Sequence, residues 1–319
     1  MSGTLAHLTL VDTLCNVDVL NGIETLTPTM KRALMKFMNF CELGAVSPDY
    51  PYLTLLSSNA AAWANIMHYW KTVDFIRSGI KYVYDMNYNT SDARRCIAWL
   101  FGYTSHVVTD MTVHPVINIK VGPYEQNKTT HRICELNQDV YIFHEKKSGI
   151  DSDEFIRNCG FASCVDISNR EKLYPAISSL WCQTLNDISL KDVKMKDGLN
   201  NPDEPPEPDE WHKYYVGILD KFALEGKLLP PFSRHFAEGE GLVYPDYNHI
   251  IRDYVDNLTS PVGGSIVFNE VFRRAQENVK HVWTELGSAL DSGKPELLTL
   301  ANADLDTGMI DSHYIFWKV

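Results

Sequence analysis

The sequence predicts an all-α protein of many helices, and three observations lead there. Most segments repeat apolar residues three and four apart, the period of a helix with one buried face. No segment shows the sustained period-two alternation between turn signals that strands would carry. The 319 residues are 45% hydrophobic and 22% charged, an ordinary globular composition without disorder bias.

The first helical pattern covers about residues 28–42. Residues 58–84 (SNAAAWANIMHYWKTVDFIRSGIKYVY) and 91–115 (SDARRCIAWLFGYTSHVVTDMTVHP) each open on Ser, a favoured N-cap, and keep their period for many turns. They are expected as long core helices. Similar patterns follow at about 127–146, 170–186, 211–224 and 264–290. Between them GLNNPDEPPEPDE (198–210) holds four prolines and five acids, so it reads as an exposed loop. Two organisations stay open: a single catalytic domain over 1–319 with this loop on its surface, or a C-terminal helical extension beginning after it. A chain of this length buries most of its apolar surface without staples, so metal ligands here point to function rather than stability.

The formal net charge of -12 argues against sequence-independent nucleic-acid binding, which rests on Lys and Arg neutralising phosphates, and against adsorption to anionic membranes. Arg94 and Arg95 form the compact basic pair and read as a solvated helix face. The seven cysteines (Cys15, Cys41, Cys96, Cys134, Cys159, Cys164, Cys182) are odd in number and lack a CxxC pair, so reduced thiols are expected. No Lys or Arg precedes Lys31 and no long apolar core follows the first residues, which predicts a cytoplasmic protein or one exported without a recognisable signal peptide. No run reaches the ~18 apolar residues of a membrane span. Gly-rich phosphate loops and GxSxG elbows are absent from the sequence.

The chemistry lies in the first 145 residues. His106, Asp110 and His114 stand four apart twice over; four residues turn a helix by about 400°, so all three share a face. His131 and Glu135 repeat the spacing, with Asp139 one turn on; upstream lie His68 in MHYW, Asp49 in SPDYP, and His7. Singly, each has a bland reading as a hydrogen-bonded or turn residue. Jointly they do not. Burying so many ionisable groups without partners would cost several kcal/mol each, whereas divalent cations satisfy them together. Imidazole and carboxylate without thiolate suit zinc, with manganese or iron as alternatives, and eight ligands imply more than one ion.

The run WLFGYTSHVVTDMTVHP, with SPDYP and MHYW before it and HRICE after it, resembles the zinc-dependent phospholipase C family over roughly residues 5–145. That family includes bacterial phosphatidylcholine-preferring phospholipases C, and its pattern recurs in the catalytic domain of glycosylphosphatidylinositol-specific phospholipase D. The resemblance implies a multi-helix fold of the kind shared with fungal-type single-strand nucleases. It implies two or three Zn²⁺ ions: one held by Asp49, His68 and His106, a second by His114, His131 and Glu135, a third by His7 and a bridging Asp110. Asp139 stands where a carboxylate supporting the ligands is expected, and Tyr50 matches a headgroup-contacting tyrosine. Two departures stand out. Secreted relatives complete the third site with a processed N-terminal amine, which no cleavage signal before His7 supplies here; and Asn65 occupies a position where choline-preferring relatives place an aromatic.

The implied activity is hydrolysis of the glycerol-side phosphodiester of phosphatidylcholine or phosphatidylethanolamine to diacylglycerol and a phosphorylated headgroup. Three Zn²⁺ against Asp49, Asp110 and Glu135 would leave the site near about +3, a charge that draws a phosphodiester anion. Asp49 is the residue expected to act as general base or water orienter, or else as a ligand only. The expected partner is a phospholipid met in transient contact with a membrane surface, not a polynucleotide. Tyr50, Tyr52, Leu53, Leu55 and Leu56 after Asp49 suit either a lipid-facing lip or core packing. Two other readings remain: a phosphodiesterase, phosphatase or nuclease acting on a soluble substrate, and an inactive metal-binding scaffold.

Overall fold

The computed structural model describes residues 3–54, 57–150, 154–156, 159–191, 193, 199–225 and 244–318; Leu55, Leu56 and Gly198 lie outside them. The fold is all-α, as the sequence predicts. Its helices are α1 Thr4–Leu14, α2 Val17–Asn21, α3 Pro28–Lys36, α4 Met38–Val46, α5 Ser58–Asn65, α6 Thr72–Tyr84, α7 Ser91–Val121 and α8 Tyr124–Lys146. They continue with α9 Pro175–Asn186, α10 Pro208–Glu225, α11 Asp253–Asp256 and α12 Phe268–Ser292. Strand structure among the described residues is limited to three antiparallel two-stranded ribbons: Val165–Asp166 with Asn169–Leu173, Leu258–Thr259 with Ser265–Ile266, and Met309–Ile310 with His313–Tyr314.

Local chemistry sets the helix starts. Thr27, Ser57 and Thr90 each accept a backbone N–H three residues on, from Met30, Ala60 and Ala93. Boundaries differ from the sequence reading where a local signal is subtle. The expected 28–42 helix breaks at Phe37, whose φ of -118° and ψ of 40° leave the helical region. The expected 58–84 helix is three pieces, with a π-turn at Ile66–Trp70 between α5 and α6. Residues 170–173 belong to a strand rather than to the expected 170–186 helix, because Pro175 starts α9 at its first turn. Helix α1 escaped detection: Thr4 to Val11 are buried without interruption, so no polar stripe gives the segment a period.

The long helix α7 is the centre of the fold, buried from Cys96 to Ile117. Helix α4 crosses it at backbone contact, through a pair of glycines. A Cβ on Gly44 would lie 2.0 Å from the Trp99 carbonyl oxygen, and one on Gly102 would lie 1.9 Å from that of Cys41. The crossing brings the Ala45 carbonyl onto His106. One contiguous apolar cluster holds residues from α1 through α12 and includes Trp211 and Tyr215 beyond the proline-rich loop.

Candidate metal centre

Helix α7 points His106, Asp110 and His114 into the interior, where each is at most 1% exposed. His7 comes from α1, Asp49 from the 3₁₀ turn Ser47–Leu53, His68 from the π-turn, and His131 and Glu135 from α8. All eight are buried.

Four of the histidines are oriented by backbone carbonyls. His68 Nδ1 lies 2.8 Å from Ala64 O, His106 Nδ1 2.8 Å from Ala45 O, His114 Nδ1 2.7 Å from Leu305 O, and His131 Nε2 2.8 Å from Gly122 O. A carbonyl only accepts, so these nitrogens carry the proton, and each ring turns a bare lone pair inward. Those inward atoms, His68 Nε2, His106 Nε2, His114 Nε2 and His131 Nδ1, together with His7 Nε2 and Asp49 Oδ1, are buried without a hydrogen-bond partner. Orphaned buried acceptors of this kind are costly unless something cationic completes them.

Donor spacings test what that cation is. Bonds of about 2.0 Å in a tetrahedron put neighbouring donors roughly 3.3 Å apart. Asp49 Oδ1 lies 3.2 Å from His68 Nε2, His7 Nε2 lies 3.2 Å from Asp110 Oδ1, and His106 Nε2 lies 3.3 Å from Asp110 Oδ2. Among the described residues two donor groups close to within 4.8 Å throughout: Asp49, His68 and His106, and His7, His106 and Asp110. The His7 and His106 rings stack at 4.1 Å, and His106 offers a single bare nitrogen, so it serves one of these groups at a time. Within the first group Asp49 Oδ1 stands 4.0 Å from His106 Nε2; outside the two groups His114 Nε2 is 3.6 Å from Asp110 Oδ1, and His131 Nδ1 is 3.8 Å from Glu135 Oε1. The donor set fits zinc.

Burial, and then the neighbouring His106 ring, lower the His7 pKa, and burial lowers that of His114 to about 4. Both stay neutral, as metal ligation requires. Burial also opposes charge on His106, but the Asp110 and Asp49 carboxylates outweigh it and raise its pKa. Burial pushes Asp110 upward, yet the His114 and His106 rings hold it well below the usual carboxylate range.

Asp139 sits under the first turn of α1, accepting the backbone N–H groups of Leu5 at 3.0 Å and Ala6 at 3.1 Å, with the Tyr244 hydroxyl at 3.2 Å. Burial raises its pKa to about 8 against the pull of those N–H groups. Its contact with the site runs through α1, which carries His7. Tyr50 is 1% exposed, its ring stacked on Tyr215 at 4.7 Å and flanked by Trp181 and His212, so it offers no open wall. Tyr52 and Leu53 are buried as well, which makes core packing the account of Tyr50, Tyr52 and Leu53, while Leu55 and Leu56 lie outside the described residues; the Tyr52 hydroxyl donates to Asn65 Oδ1 at 2.7 Å.

Comparison with protein-family models matches residues 6–189 to "Zinc dependent phospholipase C". The chain belongs to the zinc-dependent phospholipase C family. All eight donors fall inside the matched span, and membership sets the chemical class: a zinc-dependent hydrolase of the phospholipase C type, for which a phospholipid is the fitting substrate. Neither the curated proteins nor the solved structures gave a match. Among the described residues, no helix is long and apolar enough to cross a membrane.

Sequence reasoning missed the contribution of Leu305 and Asp306. Leu305 O orients His114, and Asp306 Oδ1 lies 3.9 Å from His114 Nδ1. A backbone carbonyl leaves no side-chain signature, and Asp306 stands far from the ligands in sequence.

Proposed function

We propose that this protein hydrolyses the glycerol-side phosphodiester of phosphatidylcholine or phosphatidylethanolamine, releasing diacylglycerol and the phosphorylated headgroup during transient contact with a membrane surface. The observation that carries the reading is the set of bare imidazole nitrogens and the Asp49 oxygen, buried without partners around Asp110. In this reading Asp49, His68 and His106 hold one zinc, His114, His131 and Glu135 a second, and His7 with Asp110 a third. Bound zinc would supply Lewis acidity toward the phosphoryl oxygens and lower the pKa of water.

The chain's own residues do the rest. Asp49 orients the attacking water and takes one of its protons; the water oxygen bonds to phosphorus as the P–O bond to glycerol breaks, and the proton held by Asp49 passes to the departing glycerol oxygen. The carbonyls of Ala45, Ala64, Gly122 and Leu305 keep the rings in one tautomer and one orientation, so the donors are preorganised before substrate arrives. Asp139 fixes the N-terminus of α1 and so the depth of His7. A net charge of -12 favours a zwitterionic headgroup over an anionic one and disfavours a polynucleotide.

The test pairs elemental analysis with turnover of short-chain phosphatidylcholine and phosphatidylethanolamine against phosphatidylglycerol, single-stranded DNA and RNA at matched ionic strength. More than one zinc per chain and headgroup release from the zwitterionic lipids are expected. Faster cleavage of the polynucleotides would overturn the lipid reading, and at most one metal per chain would overturn the multinuclear one.

A further inference from the structure

The C-terminal segment 298–318 lies outside the span matched to the family, yet it runs as a strap along the metal-bearing helices. Arg77 of α6 donates to the Leu298 and Leu300 carbonyls at 3.0 and 2.7 Å. Asn302 Oδ1 then accepts the backbone N–H groups of Val73 at 2.8 Å and Asp74 at 3.0 Å, capping the first turn of α6, and Ala303 exchanges hydrogen bonds with Thr72. Further along, Trp317 Nε1 donates to the Thr112 carbonyl at 2.8 Å.

Between these anchors the strap reaches the ligand histidines twice from one residue. The π-turn at Ile66–Trp70 interrupts the ordinary helical ladder, and the His68 carbonyl accepts the Leu305 N–H at 2.8 Å. The Leu305 carbonyl meanwhile receives His114 Nδ1 at 2.7 Å. Asp306 next to it accepts the Tyr69 hydroxyl at 2.9 Å, and Asn118 donates to the Asp306 carbonyl. Pro115 explains the close approach. It lacks the N–H that would bond Met111 O, and the strap passes there at Gly308, where a Cβ would lie 2.3 Å from that oxygen and 2.9 Å from the Pro115 ring. The positive φ of Gly308, 61°, also favours glycine.

We infer that the strap is a working part of the metal centre: Leu305 is a positioning residue that sets His68 on the π-turn and His114 on α7, and docking of the strap governs how tightly their ions bind. The inference rests on the ligand assignment proposed above. It adds that the 6–189 segment supplies the donors but not their full orientation.

The test uses the full chain. Asn302→Ala removes the cap that ties the strap to α6, Asn302→Asp restores the acceptor, and Gly308→Val lifts the strap from α7. Zinc stoichiometry and affinity are read by competition with a chromophoric chelator, and ligand geometry by the visible absorption of the cobalt-substituted protein, with far-UV circular dichroism as the folding check. Asn302→Ala and Gly308→Val should bind the affected zinc at least about tenfold more weakly and alter the cobalt spectrum, while Asn302→Asp returns both toward wild type. A purely scaffolding strap would instead lower Tm by the same amount with and without zinc and leave affinity and spectrum unchanged, which would overturn the inference. If Gly308→Val fails to fold, the Asn302 pair decides. Wild-type protein binding at most one zinc would bring down the ligand assignment and this inference together; normal wild-type binding with unaltered variants would bring down this inference alone.

Discussion

The donor set divides into two regions of different tightness. Around Asp49 and Asp110 three donor pairs stand 3.2 to 3.3 Å apart, close to a tetrahedral zinc edge, with Asp49 Oδ1 4.0 Å from His106 Nε2; all these donors close into groups within 4.8 Å and come from α1, the 3₁₀ turn, the π-turn and α7. In the other region His131 Nδ1 is 3.8 Å from Glu135 Oε1, His114 Nε2 is 3.6 Å from Asp110 Oδ1, and among the described residues His114, His131 and Glu135 form no group closed to within 4.8 Å. The difference follows the scaffold. The tight region lies where α4 and α7 touch backbone to backbone and α1 is clamped by Asp139. The loose region depends on helix α8 and on the strap, 191 residues separating Leu305 from His114, while the same strap reaches the tight region through the His68 carbonyl. A backbone carbonyl orients rings in both regions, so the two differ in how closely packing brings their donors together, not in how the rings are held.

The sharpest way to break this comparison is His106→Ala, because His106 belongs to both overlapping groups of the tight region. It should fold, lose bound zinc, and lower kcat by at least about three orders of magnitude, read by phosphodiester turnover and elemental analysis. Glu135→Gln acts in the loose region; it should cost one ion and roughly a hundredfold or more in turnover, with the metals at Asp49 and Asp110 retained. If both variants kept near wild-type turnover, the ligand assignment would be wrong. A smaller effect is expected from His7→Ala. It should weaken one ion selectively and leave the other two in place in a metal titration, whereas loss of all metals together would show that the tight region binds as a unit.

The smallest effect concerns the scaffold of the tight region. Glu42 on α4 accepts the Gly160 N–H at 2.8 Å, and burial raises its pKa to about 7 against that hydrogen bond. Its folded pKa lies above the unfolded value of about 4.3, so the folded chain holds the proton more tightly. Stability from this group is full below the unfolded pKa and is lost as pH rises through about 7, a total on the order of 3 kcal/mol. Glu42→Gln keeps an acceptor for Gly160 and removes the ionisation. Its Tm should exceed that of wild type at pH 8 and converge with it near pH 5; a constant offset across that range would contradict the assignment.

Much of the centre was legible in the sequence because an α-helix translates spacing into direction. His106, Asp110 and His114 at four-residue intervals had to share a face, as did His131 and Glu135, and the apolar surroundings announced that the face was buried. The long helices were legible for the same reason, through their period. Helix α1 was not, since it is buried all round and its eight consecutive buried residues carry no periodic contrast.

Tertiary structure alone decided how these pieces meet. Spacing within α7 could not say that Asp49 Oδ1 would come 3.2 Å from His68 Nε2, or that His7 would stack on His106 at 4.1 Å. Nor could Tyr50 be recognised in advance as enclosed by Trp181, His212 and Tyr215, which come from helices far along the chain. The carbonyls of Ala45, Ala64, Gly122 and Leu305 select the histidine tautomers, and a carbonyl belongs to every residue alike. Side-chain identity and helical period are local properties that a sequence carries directly, while the orientation of a ligand ring depends on which backbone atom packing brings beside it.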